Sequence, residues 1–185
     1  MTVTREMIAE RAFEVVDDEF LQVLTPDSRV EPIGDGFRFT EGPAWMPEGY
    51  LVFSDIPADT LYRWSSEDGM DVFRRPSHHA NGNTVDLQGR LVTCHHGARR
   101  VTRTEEDGSV TVLAEEYEGK KLNSPNDAVV KSDGTIWFTD PTYGLGKREK
   151  ELDGNYVFRL DPETGEMAIL AKDFRMPNGL CFSPD

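Results

Sequence analysis

The sequence predicts an all-β fold built as a β-propeller, preceded by one α-helix. Three observations carry this. A strand running into a tight turn recurs in phase, in blocks that begin at Glu41, Asn81, Asn126 and Asn178. Each of the first three blocks is followed by three more short strand-like runs before the next block begins. Gly, Pro, Asp and Asn punctuate the runs, and no helical periodicity interrupts them. Units of roughly 40–50 residues holding four short antiparallel strands are the signature of propeller blades. A β-sandwich with turns at similar intervals is the other all-β reading, but it gives no reason for strand starts to match position by position.

The elements follow in order. Residues 4–24 read as an amphipathic helix, with Ile8, Ala12, Val15, Val16, Phe20, Val23 and Leu24 as its apolar stripe. Thr4 can cap its start, and Thr25-Pro26-Asp27 ends it. Residues 1–28 are therefore expected as a helical extension and 29–185 as the propeller. The first unit has strands at Glu41–Glu48, Tyr50–Ser54, Thr60–Trp64 and Asp71–Arg74, with Gly49 in the first turn. The second has Asn81–Gln88, Arg90–Cys94, Arg99–Arg103 and Val110–Ala114, with Gly89 in the turn. The third has Asn126–Asp133, Thr135–Thr139, Asn155–Leu160 and Glu166–Leu170, with Gly134 in the turn. The fourth block, Asn178–Asp185, supplies a first strand only. Propellers close with about four to eight blades, so the chain is expected to be part of a ring, cut short in its fourth blade and inactive by itself.

Composition narrows the function. The 185 residues carry 20 basic and 34 acidic side chains, a net charge of −14. Nucleic acid and anionic membrane surfaces both call for a basic footprint, so neither is an expected partner. The acidity serves solubility and also suits cation binding. No apolar run approaches the ~18 residues of a membrane span. The N-terminal residues have no secretory apolar core and are too acidic for a transit peptide. Cys94 and Cys181 form no CxxC pair. A cytoplasmic, reduced protein is the expectation.

The strand starts point to a site. Asn126 and Asp127 are poor strand formers, yet they open a strand directly after Pro125. In a propeller the first strand of each blade lines the central axis, so Glu41, Asn81, Asn126 and Asn178 would converge at one mouth of the channel. Oxygen donors of this kind suit a hard cation, calcium first, and not a dedicated zinc site of Cys and His. The plainer reading of each Asn is a cap on the inter-blade turn; a Glu in the same phase has no such explanation. By strand parity the loops after second strands share that face. This places His78, His79, His95, His96, Asp140 and Tyr143 there, as substrate contacts, as a proton carrier, or as solvated loop residues. The long loop Asp140–Gly154, with its KREKE run, is expected to be solvated, with a lid as the alternative.

The stretches EGPAW, SPNDAVVKSDGTIWFTDPTYG and PNGLCFSPD together resemble the senescence marker protein/gluconolactonase/luciferin-regenerating enzyme family, nearest its bacterial gluconolactonase-like members. The resemblance covers roughly residues 30–185. It implies a six-bladed propeller with an axial divalent metal, calcium foremost and zinc or magnesium as alternatives, that hydrolyses a small-molecule lactone. It further implies Glu41, Asn126 and Asn178 as metal ligands, with Asn126 also able to touch substrate. The family's remaining ligand, an Asp also regarded as the general base, would lie beyond residue 185. Ser124 stands where some members carry a substrate-contacting basic residue. Asn81 has no firm ligand counterpart. The substrate-contact set is accordingly Asn126, Asn81, His95, Asp140 and Tyr143. Alternatives on the same fold are a phosphotriester or other ester hydrolase, and a non-catalytic propeller with a structural calcium ion.

Overall fold

The computed structural model describes residues 13–183. The chain divides after Asp35 into two compact units. In the first unit the expected helix is not found over the described residues. Asp18–Gln22 form a single 3-10 turn, and residues 4–12 of the expected helix lie outside the described residues. The cause is local. Asp17 adopts extended backbone and its carboxylate accepts the Glu19 N–H, the competing side-chain bond that makes Asp a cap and not an interior helix residue. Val16 and Val23, two members of the expected stripe, are exposed.

The second unit is the propeller portion: three four-stranded antiparallel sheets, each in plain up-and-down order. The first blade holds β1 (Thr40–Met46), β2 (Tyr50–Asp55), β3 (Thr60–Ser65) and β4 (Gly69–Arg74). The second holds β5 (Ala80–Val85), β6 (Leu91–His95), β7 (Arg100–Thr104) and β8 (Val110–Ala114). A hairpin of β9 (Glu116–Tyr117) and β10 (Lys120–Lys121) follows. The third blade holds β11 (Ala128–Val130), β12 (Ile136–Asp140), β13 (Tyr156–Leu160) and β14 (Met167–Ala171). Every strand expected in the three units is present within a few residues. The segment 178–183 carries no strand assignment.

The core lies between blades. Ala44, Met46, Val52 and Leu61 of the first sheet pack with Ala80 and Leu91 of the second. Val92, Cys94 and Val101 of the second pack with Ile136, Phe138, Phe158 and Leu160 of the third. β6, the second strand of the middle blade, is consequently buried along its whole length. A blade buries its faces only against its neighbours.

One device recurs in all three blades. The last residue of each second strand fastens the chain segment entering that blade. The Asp55 carboxylate accepts the N–H groups of Arg38 and Phe39. His95 bonds through Nδ1 to Ser77 O. The Asp140 carboxylate accepts the N–H groups of Asn123 and Ser124 at 2.7 and 2.8 Å.

Candidate functional site

The first strands are irregular where they begin, and the irregularity aims the site. β1 slips register between Glu41 and Ala44, and β5 slips between Ala80 and Asn83. In the third blade, Asn126 N–H donates to Thr139 O, and Asp127 O accepts from Thr139 N–H. Such bulges twist a strand and re-aim side chains. The swung-out segments touch across blades. Gly82 N–H donates to Asn126 O at 2.8 Å. Ser54 Oγ donates to Asn81 O at 2.6 Å. Asn83, buried, spends its whole amide on this seam: Nδ2 donates to Gly42 O, Ser54 Oγ and Asn81 O, and Oδ1 accepts from Thr93 Oγ1.

The result is an open cleft of about 330 Å³ lined by Glu41, Asn81, Asn126, Asp127 and Asn178, with backbone from Gly42, Gly82 and Gly179. All four strand-start residues singled out in the sequence line this one cleft. Glu41 and Asn178 stand at its exposed side, while Asn81 and Asn126 are buried in its wall. Neither Asn81 Oδ1 nor Asn126 Oδ1 accepts a hydrogen bond among the described residues. Both amides donate from Nδ2 to one acceptor, the His96 ring: Asn81 at 2.9 Å and Asn126 at 3.3 Å from Nε2. Burial, reinforced by the charges of His79 and Arg148, pushes the His96 pKa down to about 4, which suits a neutral ring that accepts. Asp127 adds a second carboxylate. Burial, followed by the charge of Glu41, raises its proton affinity, against the opposing N–H groups of Ala128 and Leu180.

The remaining expected residues stand elsewhere. His95 was expected in a loop against substrate; it is the buried last residue of β6, with Nδ1 on Ser77 O and Nε2 on Thr102 Oγ1. Burial holds its pKa at about 4. Asp140 is wholly buried and committed to the Asn123 and Ser124 N–H groups; burial outweighs those bonds and raises its pKa to about 7. Both side chains fasten the fold. Tyr143 is exposed in the loop after β12 and does not line the cleft. The same loop was expected to be solvated, yet Arg148 reaches back from it to the carbonyls of His96, Gly97 and Gly144. His96, which strand parity placed on this face but which was left out of the substrate-contact set, stands behind the cleft wall, and Asp127, noted beside Asn126 as a poor strand former but given no role, lines the cleft.

The donor set tests the implied metal. Among the described residues no group of three His, Cys, Asp or Glu is placed to share an ion. The cleft instead offers carboxylate and amide oxygens, of which those of Asn81 and Asn126 accept no hydrogen bond among the described residues. That chemistry fits a hard cation and not a thiolate or imidazole site.

The profile of the SMP-30/Gluconolactonase/LRE-like region matches residues 39–185. The gluconolactonase of Zymomonas mobilis is 34% identical over 187 aligned residues, covering 91% of this chain and 51% of the relative. The chain thus spans about half the length of that relative. The solved structure of a gluconolactonase from Xanthomonas campestris superposes with a TM-score of 0.77 at 42% identity, covering 82% of this chain and 53% of that one. An X-ray structure of a gluconolactonase-like protein gives 0.86 at 40% identity, covering 91% and 61%. With a matched region that takes in all three blades and the segment carrying Asn178, the chain belongs to the SMP-30/gluconolactonase/LRE-like family.

Proposed function

We propose that the axial cleft hydrolyses a lactone, in the manner of a gluconolactonase, with a divalent cation held by Glu41, Asn126 and Asn178. Calcium is the cation the oxygen donors favour. The observation that carries the reading is the convergence of Glu41, Asn81, Asn126 and Asn178 on one cleft in a chain of this family. When bound, the cation supplies Lewis-acid polarisation of the lactone carbonyl and stabilises the oxyanion. The chain's own residues do the rest. Asn81 Oδ1 is turned toward substrate and accepts from a lactone hydroxyl. The Asp127 carboxylate, whose proton affinity burial and Glu41 raise, takes the proton of the attacking water as its oxygen bonds to the carbonyl carbon. The ring C–O bond then breaks, and the leaving ring oxygen recovers that proton, giving the hydroxy acid.

Acid release from glucono-1,5-lactone and a panel of other lactones, by the full-length protein with its ring complete, tests this, with calcium, zinc, magnesium or chelator present. Chelator-sensitive turnover is expected. Glu41→Gln is expected to lose it through lost cation affinity. Asp127→Asn is expected to keep the cation while turnover falls by about 10²–10⁴-fold. A cation-loaded protein that opens no lactone of the panel overturns the reading.

A further inference from the structure

We infer that His96 is a positioning residue of the axial cleft: its neutral ring, accepting through Nε2, holds the Asn81 and Asn126 side chains so that both amide oxygens face the cleft.

A buried amide in a propeller wall has two faces and a reason to choose wrongly. Asn rotates about its last bond at little cost, and its oxygen and nitrogen are nearly isosteric. If Nδ2 faced the cleft, the wall would present two positive N–H groups where the strand starts otherwise present oxygen. Something must fix the choice. In this structure it is a single atom. His96 Nε2 lies 2.9 Å from Asn81 Nδ2 and 3.3 Å from Asn126 Nδ2. A neutral imidazole nitrogen that accepts has one lone pair. Two donors share it, Asn81 the closer. Each Nδ2 so engaged leaves its Oδ1 on the far side of the amide, toward the cleft.

The ring is itself held from behind. His96 N–H donates to His79 O, and Gly97 N–H to His78 O. The Arg148 guanidinium, from the loop after β12, donates to His96 O at 2.8 Å and also to Gly97 O and Gly144 O. Gly144 backs the ring so closely that a Cβ there would lie 2.4 Å from His96 Cβ. One blade thus supplies His96 and Asn81, the next supplies Asn126, and a loop of that next blade locks the ring between them. The arrangement ties the orientation of two side-chain amides at the starts of neighbouring blades to one side chain that is not itself part of the cleft lining.

The inference stands on the cleft of the proposed lactonase, and its first test needs neither cation nor substrate. In the ¹⁵N-labelled protein, a scalar coupling across the N–H···N bond is expected between His96 Nε2 and Asn81 Nδ2, with a weaker one to Asn126. The His96 shifts are expected to be those of a ring protonated on Nδ1 only. A ring protonated on Nε2, or absence of the Asn81 coupling, overturns the inference. The second test is cation affinity, read by calorimetry with calcium. His96→Ala is expected to weaken it about 10–100-fold, and His96→Gln, whose Oε1 can accept, to recover most of that. A wild-type protein that binds calcium, with His96→Ala binding equally tightly, also overturns the inference. A wild-type protein that binds no calcium sinks the cation reading instead, and the coupling measurement then decides the role of His96.

Discussion

At φ +58° Gly42 holds a left-handed backbone, and a Cβ there would lie 2.2 Å from Asn81 O and 2.8 Å from Asn83 N. Gly42 is where the first blade's bulge meets the second blade's, so neither side can yield alone. Gly42→Ala is expected to cost about 3 kcal/mol, from left-handed strain of about 1–2 kcal/mol plus displacement of the seam. Urea unfolding checks this, and a loss below about 0.5 kcal/mol would show that the seam gives way easily. His95 makes a prediction in pH. Its folded pKa is about 4, against an ordinary 6.5, because it is buried. Between those values the unfolded chain binds a proton that the folded one does not, so stability is full above pH 6.5 and falls as pH drops toward 4. At 1.36 kcal/mol per pKa unit, this amounts to about 3 kcal/mol. His96, also held near 4, adds a slope of the same sign, and Asp140, raised to about 7, adds one of the opposite sign, so the His95 contribution is read as a difference: from pH 7 through 5.5 to 4.5 the unfolding free energy of wild type in urea should fall relative to that of His95→Gln. A variant as acid-sensitive as wild type would move the cause elsewhere. The sequence placed His95 and His96 together but could not tell them apart. β6 runs one residue further than its apolar pattern shows, and in a strand one residue decides which way a side chain faces.

Among the elements, the twelve blade strands were legible because each first strand enters its turn at the same phase, with Gly49, Gly89 and Gly134 all at positive φ. Phase is a property of the repeat, so it survives errors in any one unit. What lacked a repeat was missed. The β9–β10 hairpin turns at Glu118 and Gly119, both at positive φ, and has no counterpart in the other blades. The expected helix failed over the described residues because a periodic apolar stripe cannot reveal that Asp17 caps a turn inside it. The loop after β12 was judged by its charge, yet Leu145 and Leu152 are buried and Arg148 spans four carbonyls, those of His96, Gly97, Gly144 and Leu145. Charge describes the side chains' solvation, not what a guanidinium can reach. Arg148→Ala should therefore loosen this loop against the second blade. Losing charged hydrogen bonds worth about 1.5–3 kcal/mol should speed amide exchange in residues 142–149 by roughly tenfold or more. Unchanged exchange there would show that the buried leucines hold the loop by themselves.

On the scale of the whole chain, the charge of −14 and the axial cleft make separable claims about stability. Like charges repel across the folded chain, and the repulsion is screened beyond about 10 Å at 0.1 M salt. Sodium chloride should thus raise the melting temperature modestly and smoothly, with no saturation at low concentration. A cation bound in the cleft acts differently. It stabilises by mass action, about 2.7 kcal/mol at a hundred times its dissociation constant, which in a chain of this size is roughly 5–10 °C. The effect saturates, and it depends on Glu41. Thermal melts in sodium chloride and in calcium chloride at matched ionic strength separate the two. Wild type should respond to both salts, with an excess for calcium that Glu41→Gln abolishes while the sodium response persists. An equal calcium excess in wild type and Glu41→Gln would place the bound ion away from the cleft, and no excess in either would reduce the acidity of this chain to solubility alone.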